Sequence, residues 1–144
     1  MLIAYVTTDE VNKDVATKLG SESGVTVCPL RLDEIGLVDR FDAMIYDLDF
    51  VPAPWRTAIL SQLLARSAFA LRAVHSYNLV EDDEEELRQC GVLVFRRLES
   101  AVFRRLIRAW EAVRIAYSQH RSEKESIEMR ARHEPSPAKT IITP

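Results

Sequence analysis

Carboxylates, hydroxyls, an imidazole and guanidiniums gather at the ends of short apolar runs in this chain. Ala43-Met44-Ile45-Tyr46 ends in Asp47, with Asp49 two residues on. Leu2 to Val6 ends in Thr7-Thr8-Asp9, Phe69 to Val74 in His75-Ser76, and Val92 to Phe95 in Arg96-Arg97. In open α/β sheets the ligand crevice lies outside the carboxyl ends of the strands, so these are the positions where chemistry is expected. Several chemistries are weak on residue type alone. A phosphate-wrapping loop at Thr7-Thr8 wants glycine, and the chain has none before Gly20. No GxGxxG dinucleotide signature occurs among its four glycines. His75 has no second His or Cys at ligand spacing, so a strand-end histidine with a structural hydrogen bond is the expectation. Ser61, Ser67 and Ser76 lack a nucleophile-elbow context, and no enzyme activity is expected.

The elements that must position these groups follow from periodicity. Strands are predicted at Leu2–Val6, Val25–Leu30, Ala43–Tyr46, Phe69–Val74 and Val92–Phe95, as short apolar runs of the kind buried in parallel sheets. Between them lie helical patterns. Glu10 to Leu19 carries Val11, Val15, Ala16 and Leu19 on one face, capped by Thr8 or Asp9 and ended by Gly20. Leu32 to Val38 is a second, interrupted by Gly36. A third starts at Pro54, which suits a first turn. It runs through Trp55, Ile59, Leu60, Leu63 and Leu64. The fourth opens on Glu81-Asp82-Asp83-Glu84-Glu85-Glu86, favourable against the helix dipole, and ends at Gly91. The fifth starts near Ser100 with an apolar stripe of Phe103, Leu106, Trp110, Val113 and Tyr117. Arg104, Arg105, Arg108 and Glu111 lie mainly opposite. Residues 122–132 extend this helix, and His133 to Pro144, with three prolines, is expected to be a flexible tail.

The alternation predicts a flavodoxin-like (βα)5 three-layer α/β sandwich around a parallel sheet of order 2-1-3-4-5. Charge is uneven along the chain. Residues 1–95 hold 8 Lys/Arg and 16 Asp/Glu, net −8, and residues 96–144 hold 11 and 6, net +5, which sum to the −3 of the whole. An acidic body with a basic C-terminal segment favours self-complementary contacts or an acidic partner. Interspersed Glu argues against nucleic acid. Cys28 and Cys90 have no paired spacing and are expected to be reduced, mostly buried thiols. No leader precedes the first strand and no apolar run approaches a membrane span, so a cytoplasmic location is expected.

At this point the sequence resembles the receiver domain of bacterial two-component response regulators. The resemblance covers about residues 1–115 and rests on Met44-Ile45-Tyr46-Asp47 followed shortly by Pro52. It implies a receiver-like domain over 1–118, with 119–144 as helical extension and tail and no appended DNA-binding domain. In that family the strand-end aspartate, here Asp47, takes a phosphoryl group from a histidine kinase. An acidic pair follows the first strand, Ser or Thr the fourth, and Lys-Pro the fifth. This chain departs at each: Thr7 and Thr8 with Asp9 just beyond, His75 or Ser76, and Arg96-Arg97. Pro52 is also one residue late.

Phosphorylation of such an aspartate needs Mg²⁺, which wants hard oxygen ligands including one or two carboxylates. Two unit charges at about 4 Å interact by about 4 kcal/mol at an effective dielectric of about 20, so neutral threonines are poor replacements. Only Asp9, Asp47 and Asp49 remain as metal ligands if Mg²⁺ binds; otherwise no metal and no cofactor is expected. Arg96 is expected to pair directly with Asp47, balancing its charge without metal or phosphate.

The resemblance therefore implies a degenerate receiver, a protein–protein interaction module in bacterial signalling. Its pocket would comprise Thr7, Thr8, Asp9, Asp49, His75, Ser76 and Arg96 around Asp47. The partner would be a signalling protein or histidine kinase. A homodimer is expected through the fourth helix, fifth strand and fifth helix, using Glu84 and Glu85 against Arg104, Arg105 and Arg108, with Phe103 supplying apolar area. A working stand-alone receiver phosphorylated on Asp47 is the alternative, and a small-ligand-binding protein using the strand-end crevice is a third reading.

Overall fold

A computed structural model describes residues 1–34, 40–65 and 71–133. Its elements are β1 (Leu2–Val6), α1 (Glu10–Glu22), β2 (Thr26–Leu30), β3 (Ala43–Asp47), α2 (Ala53–Ala65), β4 (Leu71–His75), α3 (Glu81–Gln89), β5 (Leu93–Phe95) and α4 (Ser100–His133). All strand pairs are parallel and the order is β2-β1-β3-β4-β5, as the alternation of apolar runs and helical patterns predicts. Of the predicted helix at 32–38, residues 32–34 form a single 3₁₀ turn and the rest lies outside the described residues. So do the first residues of the predicted fourth strand and the tail from 134.

Successive side chains along a strand point to opposite faces, which gives the sheet two separate cores. Ala4, Val6, Met44, Tyr46, Val74 and Val94 pack with Ile59 and Leu63 of α2 and Leu87 of α3. Ile3, Tyr5, Ala43, Ile45, Ala73 and Phe95 pack on the other face with Ala16 of α1 and Val102, Phe103 and Leu106 of α4. Burying each Leu, Ile or Phe contributes about 1.5–3 kcal/mol before conformational entropy is subtracted.

A cation lies buried beside the core. Arg72 on β4 is 1% exposed and donates through its guanidinium to the Leu63 carbonyl and, at 3.0 Å, to the Cys90 carbonyl. Those carbonyls end α2 and α3, where the helix dipole is negative, so the cation is balanced by two helix ends.

Several expectations are corrected. Gly20 does not end α1: the helix runs to Glu22 and turns at Gly24, whose φ is +80°. Gly20 instead lies buried against β2, where an added Cβ would sit 2.3 Å from Val27 Cγ2. Phe103 is fully buried in the α1–α4 core and cannot serve an interface, because its stripe faces the sheet. Tyr117 leaves the core altogether and is 60% exposed. Both cysteines are half-buried thiols rather than mostly buried ones.

The chain divides into two compact units, Met1–Trp110 and Glu111–Pro144. In the second, the described residues continue α4 to His133 and are exposed apart from the half-buried Val113. No helix among the described residues is long and apolar enough to cross a membrane.

Candidate functional site

Parallel register sets the strand ends side by side. Asp47, the last residue of β3, pairs with His75 at the end of β4, and Tyr5 of β1 pairs with Ile45. Tyr5, Asp47 and His75 occupy the face that α1 covers. Each is at most 1% exposed.

Asp47 Oδ2 accepts two hydrogen bonds, from Thr7 Oγ1 at 2.8 Å and from Asn12 Nδ2 at 2.9 Å. Thr7 in turn accepts from the Asp9 amide at 3.0 Å, so its hydroxyl is used on both sides. Asp47 Oδ1 has no hydrogen-bond partner among the described residues, and His75 Nδ1 lies 3.7 Å away. Tyr5 Oη and His75 Nδ1 are joined at 3.1 Å. The imidazole also meets the Tyr77 ring edge-on, with centroids 4.9 Å apart. Its Nε2 is buried without a hydrogen-bond partner among the described residues.

The electrostatics follow from this burial. Desolvation, reinforced by the neighbouring Asp47 carboxylate, pushes the Tyr5 hydroxyl far above the usual phenol range. Burial holds His75 below its ordinary 6.5, against the opposing pull of Asp47 and then Asp49. A neutral phenol and a neutral imidazole therefore stand beside the strand-end acid at neutral pH.

The other acids are engaged elsewhere. Asp9 is the N-cap of α1 and accepts from the Asn12 amide at 2.9 Å. Asp49 bridges two loops: it accepts from Ser76 Oγ at 2.6 Å and from the Tyr77 amide at 2.6 Å. Ser76 Oγ then accepts from the Asn78 amide at 3.3 Å. Thr8, expected in the pocket, is exposed and donates to the Phe50 carbonyl.

Arg96 is a further correction. It does not pair with Asp47. Its guanidinium donates to Glu84 on α3 at 2.5 Å and to the Leu79 carbonyl at 3.1 Å. Glu84 also accepts from Arg88, and the two arginines, Arg88 first, hold its carboxyl below the usual range. Glu84 is thus committed within the chain rather than offered outward. Glu85, Arg104, Arg105 and Arg108 are exposed, with Arg105 over the Phe95 ring at 5.2 Å.

Against solved structures the likeness is one of fold. A signal receiver domain of a two-component histidine kinase from Clostridium thermocellum matches with a TM-score of 0.56 at 9% identity, covering 76% of this chain and 95% of that one. The Mn(2+)-bound form of response regulator Rcp1 matches with a TM-score of 0.51 at 15% identity, covering 73% of this chain and 88% of that one. The chain has the fold of a response regulator receiver domain. No protein-family model matches it, and no curated protein matches it in sequence.

A divalent ion of the kind named for Rcp1 would need oxygen ligands around Asp47. Asp9 and Asp49 are held in the helix cap and the loop bridge, and Asp47 Oδ1 has no hydrogen-bond partner among the described residues. Its companions are a hydroxyl, an amide and a neutral imidazole, and no group of three or more His, Cys, Asp or Glu converges among the described residues. A hard cation needs more oxygen charge than that, so the donor set does not fit Mg²⁺ or Mn²⁺.

Sequence reasoning missed Tyr5, Asn12 and Arg72. The strand period could have placed Tyr5 on the face of Ile3, and Asn12 stands three residues after the cap, in the first turn of α1. Nothing in the sequence marks Arg72, whose partners are backbone carbonyls far along the chain.

Proposed function

We propose that this receiver fold is a degenerate one, a protein–protein interaction module in bacterial signalling that binds partners without Mg²⁺-dependent phosphorylation and without enzyme activity. The observation that supports this best is the state of Asp47. Its carboxylate is 0% exposed, one oxygen is held by Thr7 and Asn12, and its expected acidic neighbours serve as a helix cap and a loop bridge. A phosphoryl transfer there would have to expose a fully buried acid, and no ion pair among the described residues brings a Lys or Arg to it.

The recognition surface in this reading is the face made by α3, β5 and the start of α4. Acid is concentrated at the start of α3, at Glu81, Asp82 and Asp83 beside the internally paired Glu84, and exposed arginines lie on α4. A signalling protein with complementary charge, or a second copy, fits that face, with charge steering the encounter more than supplying affinity. The proposed location is the cytoplasm.

The test is titration of ¹⁵N-labelled protein with Mg²⁺ and then with beryllofluoride. Resonances of Asp47, Thr7 and Ser76 that stay in place support a recognition module. Saturable shifts at those three amides would make the chain a working receiver phosphorylated on Asp47. A second reading, a small-ligand site, rests on a crevice of about 620 Å³ bounded by Thr7, Thr8, Glu10, Lys13, Arg31 and Trp55. Mass spectrometry of the protein purified under native conditions, showing a co-purified small molecule, would favour it.

A further inference from the structure

The helix beyond Trp110 has a stripe, apolar toward both ends and polar at its centre, that is exposed from Tyr117 onward. Val113, Tyr117, His120, Lys124, Ile127 and Ala131 recur at alternating steps of four and three, the spacing of a coiled-coil seam. Tyr117 is 60% and Ile127 65% exposed. Helices in water draw most of their stability from packing an apolar face. The Arg121–Glu125 pair at 3.1 Å is exposed on both sides and worth about 0.3–0.5 kcal/mol.

From this we infer that the segment from Val113 to Ala131 pairs with the same segment of a second copy as an antiparallel two-stranded coiled coil. The sequence is complementary to itself when reversed about Ser122. Val113 then meets Ala131 of the second copy, Tyr117 meets Ile127, and polar His120 meets polar Lys124. Every seam residue finds a seam residue, and the layers beside the polar centre match a large side chain with a branched one. A parallel in-register pair fails on the same residues. It sets Lys124 against Lys124 in the seam, a like-charge contact that the antiparallel pair replaces with Lys124 against His120. Flank charge does not separate the two, since Glu123 meets Glu128 in the parallel pair and Glu123 in the antiparallel one. Antiparallel alignment also opposes the two helix dipoles favourably. The pairing is independent of the recognition face proposed above and draws on none of its residues.

Sedimentation velocity of the full chain over a concentration series, with two sets of variants, tests this. Y117E/I127E places charge in both apolar layers, and because both residues are exposed in the single chain the receiver fold is retained. Its dimer dissociation constant should rise by more than about tenfold, the loss expected when buried apolar side chains are replaced by charge. K124L removes the polar centre and should tighten the dimer. Oxidised V113C/A131C should yield a two-chain species whose crosslinked peptides join residue 113 of one chain to residue 131 of the other. A native chain that stays monomeric at the highest concentration reached overturns the inference. So does a dimer that Y117E/I127E leaves unchanged, or a crosslink joining 131 to 131.

Discussion

Asp47 has two oxygens in unlike surroundings, and that difference makes the site testable. Oδ2 takes the Thr7 and Asn12 hydrogen bonds, while Oδ1 has no hydrogen-bond partner among the described residues and lies 3.7 Å from His75 Nδ1. Replacing Asp47 by Ala leaves the Thr7 and Asn12 donors without their acceptor, which should lower stability by about 1–3 kcal/mol. Asp47→Asn keeps an acceptor for them and should lose less. Urea denaturation of both variants measures the order. His75 supplies a pH dependence. Burial lowers its pKa in the folded chain, so the unfolded chain binds the proton more readily. Its contribution to stability is therefore complete above the unfolded value of about 6.5 and is lost as pH falls toward the lower folded value. Unfolding free energy measured from about pH 8 to about pH 5 should decline on the acid side, and His75→Gln should flatten that decline. The strand-end placement of Asp47 and His75 was legible because the apolar runs stop at matching points. Their hydrogen-bond partners were not, because those depend on strand parity and helix phase. The direction of Arg96 was misread for a related reason. The long Arg96 side chain reaches the Leu79 carbonyl and the partly exposed Glu84 of α3 rather than the fully buried Asp47.

At the scale of elements, Gly20 and Gly24 divide a role that the sequence gives to the first. Glycine after a helical pattern usually marks its end, but α1 uses Gly20 to let β2 approach and turns at Gly24. Helix propensity alone predicts that Gly20→Ala stabilises by about 1 kcal/mol. The 2.3 Å approach of the new Cβ to Val27 Cγ2 predicts the opposite, a net loss of about 1–3 kcal/mol from overpacking. Thermal or urea unfolding of this single variant decides between them. The α3 contacts give a second prediction. Arg96 ties Glu84 to the Leu79 carbonyl, which holds the start of α3 against β5. Because the ion pair is exposed, Arg96→Ala should change global stability little, and raised salt should mimic it in part. Local opening is a separate quantity, and amide exchange across residues 79–86 should quicken in the variant while the sheet amides keep their rates. The five strands and the acidic start of α3 were legible from residue type. The end of the apolar stripe on α4 was not, since the same spacing serves a face buried on a sheet at Phe103 and an exposed one at Tyr117.

For the molecule as a whole, the fold order followed from the alternation of short apolar runs with helices, because right-handed crossovers leave few arrangements. The apolar periodicity of α4 fades after about Gln119, whereas the division into two compact units falls after Trp110. That division carries the last prediction. The core residues of both sheet faces lie within Met1–Trp110, and residues from 114 to 133 are exposed. Removing surface that folding does not bury takes little from the free energy of folding, so a chain ending at residue 118 should unfold with the free energy of the full-length monomer to within about 1 kcal/mol. Pairing through the removed helix would show differently. Association stabilises by mass action, so the melting temperature of the full chain should rise with protein concentration while that of the shortened chain stays constant. Calorimetry of the two chains over a series of concentrations separates the contributions. A shortened chain that fails to fold would mean that the receiver fold needs the second unit, whereas equal concentration dependence in both would place the association on the α3–β5–α4 face instead.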